Sequence, residues 1–71
     1  MKLHYYPETD SLYIDLNARP SVDSREIADG LVADFDSDGH VVGLDIQHAS
    51  KILDLKTLET ESLPAMTTKK S

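Results

Sequence analysis

The chain has no cysteine and no tryptophan, only three glycines and three prolines, and just 7 Lys plus Arg against 13 Asp plus Glu. Each shortage excludes something. A secreted domain of 71 residues usually depends on disulfides, so the missing cysteines set a cytoplasmic expectation. No segment is low enough in complexity to imply a separate module. Scarce basic charge, with Lys69-Lys70 as its only cluster, argues against nucleic acid as a partner, because phosphate neutralisation supplies most of that affinity. The N-terminus Met1-Lys2-Leu3-His4-Tyr5-Tyr6-Pro7-Glu8 lacks the apolar core of a signal peptide, and no stretch is long enough to span a bilayer, so no membrane role is expected.

What is present suffices for one small domain. Leu, Ile, Val and Phe together supply 18 of the 71 residues, more than disordered chains carry, and the formal net charge is −6. Leu12, Ile14 and Leu16 alternate with Tyr13 and Asp15, the period of a strand with one apolar face. Lys2 to Tyr6 also reads as extended. Pro7-Glu8-Thr9-Asp10 supplies the turn that closes a first hairpin. Asn17 to Asp23, with Pro20, reads as a crossover loop, followed by a short strand from about Val22 to Ala28.

Asp29-Gly30 favours a two-residue hairpin turn, and Leu31 to Asp36 forms the next strand. Asp36-Ser37-Asp38-Gly39 fits a type I turn followed by a left-handed glycine, with a return strand from His40 to about Gln47. With Asp36 opposite His40, a regular ladder sets Val32 against Leu44 and Asp34 against Val42. Ser50 to about Glu59 reads as a helix capped by Ser50, with Ile52, Leu55 and Leu58 forming its apolar stripe beside Leu53. The expected fold is α+β: a small antiparallel sheet of four to five strands, built on two hairpins, with one C-terminal helix packed on it. It occupies residues 1–59, and 60–71 form a flexible tail.

The residues Tyr6, Asp10 and Leu12-Tyr13-Ile14, then the run Asp34 to Ile46 and the pair Ala49-Ser50, form a pattern. In this chain it reads D-x-LYI early and D-x-D-G-x-x-x-G-x-[DE]-I-x-x-A-S later. It resembles the bacterial family called domain of unknown function 2283, over roughly residues 5 to 53. Members often carry Glu where this chain has Asp45. The resemblance implies a small β-rich domain with a C-terminal helix, no established activity and no catalytic residues to transfer. It also implies an antitoxin-like role beside a small ribonuclease as one form a partnership takes.

Five constellations invite a chemical reading. Asp34, Asp36, Asp38 and Gly39 occupy positions one, three, five and six of a calcium-binding EF-hand loop, with Asp45 at twelve. The flanks read as strands rather than helices, however, and a hairpin accounts for Asp36, Asp38 and Gly39 with no ion, leaving Asp34 a solvated strand residue. His4, His40 and His48 are too dispersed for a zinc motif, and Ser50, His48 and Asp45 or Asp54 lack a triad's spacing. Gly30, Gly39 and Gly43 are spaced for turns and close packing, so no nucleotide cofactor is indicated. Tyr5, Tyr6 and Tyr13 form either an exposed aromatic patch or ordinary packing against the sheet.

The expectation is therefore a non-enzymatic protein-interaction module without cofactors, meeting a protein partner or a second copy of itself. The alternative is a divalent-cation-binding domain using Asp34, Asp36 and Asp38.

Overall fold

The computed structural model describes residues 1–64. Five antiparallel strands form one sheet: β1 (Lys2–Tyr6), β2 (Ser11–Asp15), β3 (Asp23–Ala28), β4 (Leu31–Phe35) and β5 (Val41–Ile46), in the order β1-β2-β5-β4-β3. A single helical turn, α1 (Ala49–Ile52), follows. The fold is thus α+β and mostly sheet, and both expected hairpins are present. Among the described residues, no helix is long and apolar enough to cross a membrane. Of the expected tail, residues 60–64 contain no helix or strand, and 65–71 lie outside the described residues.

Strand periodicity sorts the side chains onto two faces. Leu3 pairs with Ile14 and Tyr5 with Leu12 across β1 and β2, while Leu12 pairs with Ile46 and Ile14 with Leu44 across β2 and β5. Leu31 and Ala33 continue these rows on β4. This is the apolar face. The opposite face carries Lys2, His4, Tyr13, Asp15, Asp34, Asp45, Ser24 and Glu26, so charge and apolar area are separated across the thickness of one sheet.

Turn chemistry sets the hairpins. Gly30 and Gly39 adopt φ of 75° and 83°, the left-handed region that a side chain disfavours. The ladder next to the second turn departs from the regular register. Asp36 N–H does bond to His40 carbonyl at 2.9 Å, yet Phe35 pairs with Val41 and Asp34 with Gly43. Val42 is the extra residue of a β-bulge, so Val32 lies opposite Asp45, not Leu44, and Asp34 opposite Gly43, not Val42. The bulge turns Val42 inward, where it is buried.

The helix expected over Ser50 to Glu59 is only four residues long. Leu53 is extended, and the Asp54 carboxylate accepts the Lys56 N–H at 3.1 Å, a local turn that competes with helix continuation. His48, in the left-handed conformation, takes the N-cap position, so Ser50 is not the cap. Consequently the helix covers little of the sheet. Buried apolar side chains among the described residues are Leu12, Ala33, Val42 and Ala49 alone. At the β3 edge Arg25 supplies part of the missing cover, since it lies opposite Ala33 and its guanidinium sits 4.1 Å from the Phe35 ring centre.

Leu12 is the only leucine in that buried set. Leu12→Ala is expected to destabilise the domain by about 2–5 kcal/mol, read from urea unfolding midpoints.

Candidate functional site

Three polar assemblies engage most of the polar motif residues, and each includes a side-chain bond between residues remote in sequence. The first joins the two ends of the fold. Asp10 adopts φ of 54° at the end of the first turn, a conformation that aspartate tolerates better than most residues. Its carbonyl accepts the Ala49 N–H at 2.8 Å. Its carboxylate accepts the Ser50 N–H at 3.0 Å, the Ser50 hydroxyl at 2.7 Å and the Tyr5 hydroxyl at 2.7 Å. The Tyr5 bond and then the Ser50 bonds hold the Asp10 carboxyl below its usual range, and the same Tyr5–Asp10 bond raises the Tyr5 phenol. Ser50 therefore belongs to a clasp with Asp10, not to a nucleophilic triad.

The second assembly crosses the polar face. Tyr13 extends from β2 over Gly43 of β5 and donates its hydroxyl to Asp34 of β4 at 2.7 Å. Ser24 of β3 donates to the other Asp34 oxygen at 2.6 Å. A Cβ built on Gly43 would fall onto the Tyr13 hydroxyl and lie 2.7 Å from the ring carbon bearing it, so the glycine makes room for the crossing. The bond to Asp34, then burial and the charges of Asp34, Asp15 and Asp45, push the Tyr13 phenol up to about 12. Asp34 is accordingly a half-buried, doubly bonded residue rather than a solvated one.

The third assembly is the acidic turn. Asp36 is 6% exposed, and one of its oxygens accepts the N–H groups of Asp38 and His40, both at 2.9 Å. The other oxygen accepts from the Arg19 guanidinium at 3.2 Å and lies 3.8 Å from His40 Nδ1. These interactions, the His40 amide foremost, hold the Asp36 carboxyl below its ordinary range. Of the three aspartates singled out for a cation, the structure brings Asp36 and Asp38 together with His40, their candidate ligand atoms within 4.8 Å of one another. Asp34 is turned to Tyr13 and Ser24 instead. The Asp36 carboxylate meets two amides and a guanidinium, the environment of a turn organiser.

The histidines do not converge: His4 packs against Tyr6 with ring centres 4.3 Å apart and the rings tilted by 54°, while His48 caps α1. The tyrosines also part company. Tyr5 lies on the apolar face, Tyr6 and Tyr13 on the polar face, because successive strand residues alternate. There Tyr6 and Tyr13, with Asp45 and His48, line an open cleft of about 530 Å³. On the apolar face a larger groove, of about 730 Å³, runs between the sheet residues Leu3, Leu12, Ile14 and Ile46 and the segment bearing Leu55 and Leu58. Neither concavity is legible in the sequence. The cleft follows from pairings between distant strands, and the groove from the early end of the helix.

Three outcomes are expected. Gly43→Ala destabilises by about 1–3 kcal/mol through overpacking, and the same substitution in a Tyr13→Ser background is close to neutral, as a double-mutant cycle of urea midpoints measures. The Asp36 carboxyl has a lowered folded pKa, so its contribution is present above the unfolded carboxylate range and lost as pH falls through the folded value. The stability gap between wild type and Asp36→Asn therefore narrows on acidification, measured by denaturation across that range. For Tyr13 the folded pKa is raised from 10.0 to about 12, so its contribution is lost as pH rises between those values. In an alkaline absorbance titration, Tyr13→Phe removes the highest tyrosinate step.

Residues 2–50 match the family described as protein of unknown function (DUF2283), which spans more than half of the chain. No curated protein and no solved structure matches it. The matched span runs from the first residue of β1 to Ser50 in α1, and so takes in all five strands together with the Asp10–Ser50 clasp, the Tyr13–Gly43–Asp34 crossing and the acidic turn. The chain belongs to the DUF2283 family.

Proposed function

We propose that this chain is a non-enzymatic protein-interaction module that acts as a homodimer, joined through the apolar face of its sheet. The observation that carries this reading is the incomplete cover of that face. Leu58 is 77% exposed, and Leu3, Tyr5 and Leu55 are also exposed, although the sheet and the C-terminal segment form an apolar groove between them. Exposed apolar area of this kind marks interaction surfaces in soluble proteins.

A second copy is the occupant that the charges favour. The groove carries one residue of each sign, Asp54 and Lys56, and the β3 end of the same face carries the Asp23–Arg25 pair at 3.7 Å. Two-fold symmetry can set Asp54 of one protomer near Lys56 of its partner. The unbalanced carboxylates Asp15, Asp34 and Asp45 lie on the other face, so two copies can meet without opposing their net charges. The two longest dimensions of the molecule, 30 and 28 Å, leave room for the roughly 800 Å² per partner that a standard interface buries. An antitoxin-like role is a special case of this reading, in which the dimer meets a small basic ribonuclease. The non-enzymatic part of this reading is supported by the carboxylates of Asp10, Asp34 and Asp36, each engaged by groups of the same chain.

Sedimentation equilibrium over a range of protein concentrations tests the proposal. Wild type is expected to approach twice the monomer mass, and Leu58→Asp, altering an exposed position, to raise the dissociation constant at least about tenfold. Leu3→Asp should act in the same direction. A wild-type monomer at every concentration, or dimerisation untouched by Leu58→Asp, contradicts it.

A further inference from the structure

The cleft on the polar face is independent of the apolar groove and of self-association. The row His4, Tyr13, Asp45, Val32 runs in register across β1, β2, β5 and β4, and the cleft opens over its Tyr13–Asp45 portion. Directly opposed strand residues have Cβ atoms about 4.5–5.5 Å apart, so Asp45 and Tyr13 rise side by side from the sheet, and both line the cleft. The Tyr13 ring is held in place, because its hydroxyl is tied to Asp34 across Gly43. Tyr6 lines the cleft from the end of β1, with its ring against His4. Asp45 is half-buried and has no ion-pair partner among the described residues, unlike Asp36 and Asp23.

The geometry points to this cleft as a receptor for the guanidinium of an arginine side chain on a partner protein. A planar cation that is weakly hydrated, stacks on aromatic rings and bonds a carboxylate through two N–H groups matches tyrosine walls beside an unpaired aspartate. Lysine matches them less well, because its ammonium is a strongly hydrated point charge without a flat face. The carboxylates Asp15 and Asp34 share this face with the single lysine Lys2, opposite Asp15, so the surroundings are net negative. They favour approach of a basic segment. The Tyr13 hydroxyl is already committed as a donor to Asp34, which leaves Asp45 as the principal acceptor for the incoming group.

Amide-resolved NMR titration of the full chain with N-acetyl-argininamide tests this, with the lysine and citrulline counterparts and free arginine as parallel arms. The expected result is saturable shifts centred on Ser11, Tyr13, Asp45, Gln47 and His48, weaker binding of the lysine compound and none of citrulline. Asp45→Asn should weaken arginine binding at least about tenfold, and Asp38→Asn, on the exposed turn, should leave it unchanged. Tyr6→Ala, at an exposed strand end, provides a second loss of affinity should Asp45→Asn disturb folding. A Leu58→Asp chain should bind as wild type does, which separates this site from the dimer. Linear shifts that never saturate, equal shifts with citrulline, or equal effects of Asp45→Asn and Asp38→Asn overturn the inference. Free arginine binding more than about tenfold tighter than the blocked form overturns the assignment to a partner's side chain.

Discussion

The pairing of β2 with β5 is the constraint on which the rest of this structure depends. Every other strand pair is a hairpin between neighbours in sequence, formed by a tight turn and a short loop closure. The β2–β5 seam alone joins segments some thirty residues apart, and it unites the N-terminal hairpin with the β3-β4-β5 meander. Closing such a loop costs chain entropy before any contact rewards it. The seam is correspondingly reinforced on three sides. The Asp10 clasp holds α1 at one end, the Leu16 N–H bonds the Val42 carbonyl at the other, and Tyr13 crosses to Asp34 over the middle.

This explains what the motif residues do. Asp10 and Ser50 are forty positions apart and share two hydrogen bonds; Tyr13, Gly43 and Asp34 form one crossing; Asp36 organises a turn. Each of these side chains satisfies another part of the fold. Such a set resembles a catalytic or metal-binding pattern when read as letters, because acidic and hydroxyl groups serve both purposes. Here their partners are backbone amides, a guanidinium, phenols and serine hydroxyls of the same chain.

How much of this was legible follows from the range of the interactions. Alternation in Leu12-Tyr13-Ile14, the Asp29-Gly30 dipeptide and the Asp36 to Gly39 turn are local signals, and each appears in the structure where its residues place it. The bulge at Val42 was hidden, since a ladder extrapolated from the Asp36–His40 pair carries no sign of an inserted residue. The helix ended early because Asp54 captures the Lys56 amide, a competition that the spacing of Ile52, Leu55 and Leu58 does not reveal. The dual placement of Tyr5 and Tyr6 was implicit in strand alternation. Their partners, Asp10 for Tyr5 and the His4 ring for Tyr6, needed the folded hairpin. The sheet is thinly covered on one side and carries the carboxylates of Asp15, Asp34 and Asp45 on the other.

Native-state hydrogen exchange on a variant combining Asp10→Asn with Tyr13→Phe tests most directly whether these groups hold the seam. If they do, amides bonded across β2 and β5 lose protection first and by the largest factor, while those between β3 and β4 keep more of theirs. Unchanged protection along β2 and β5, or earlier loss in the β3–β4 hairpin, would contradict it.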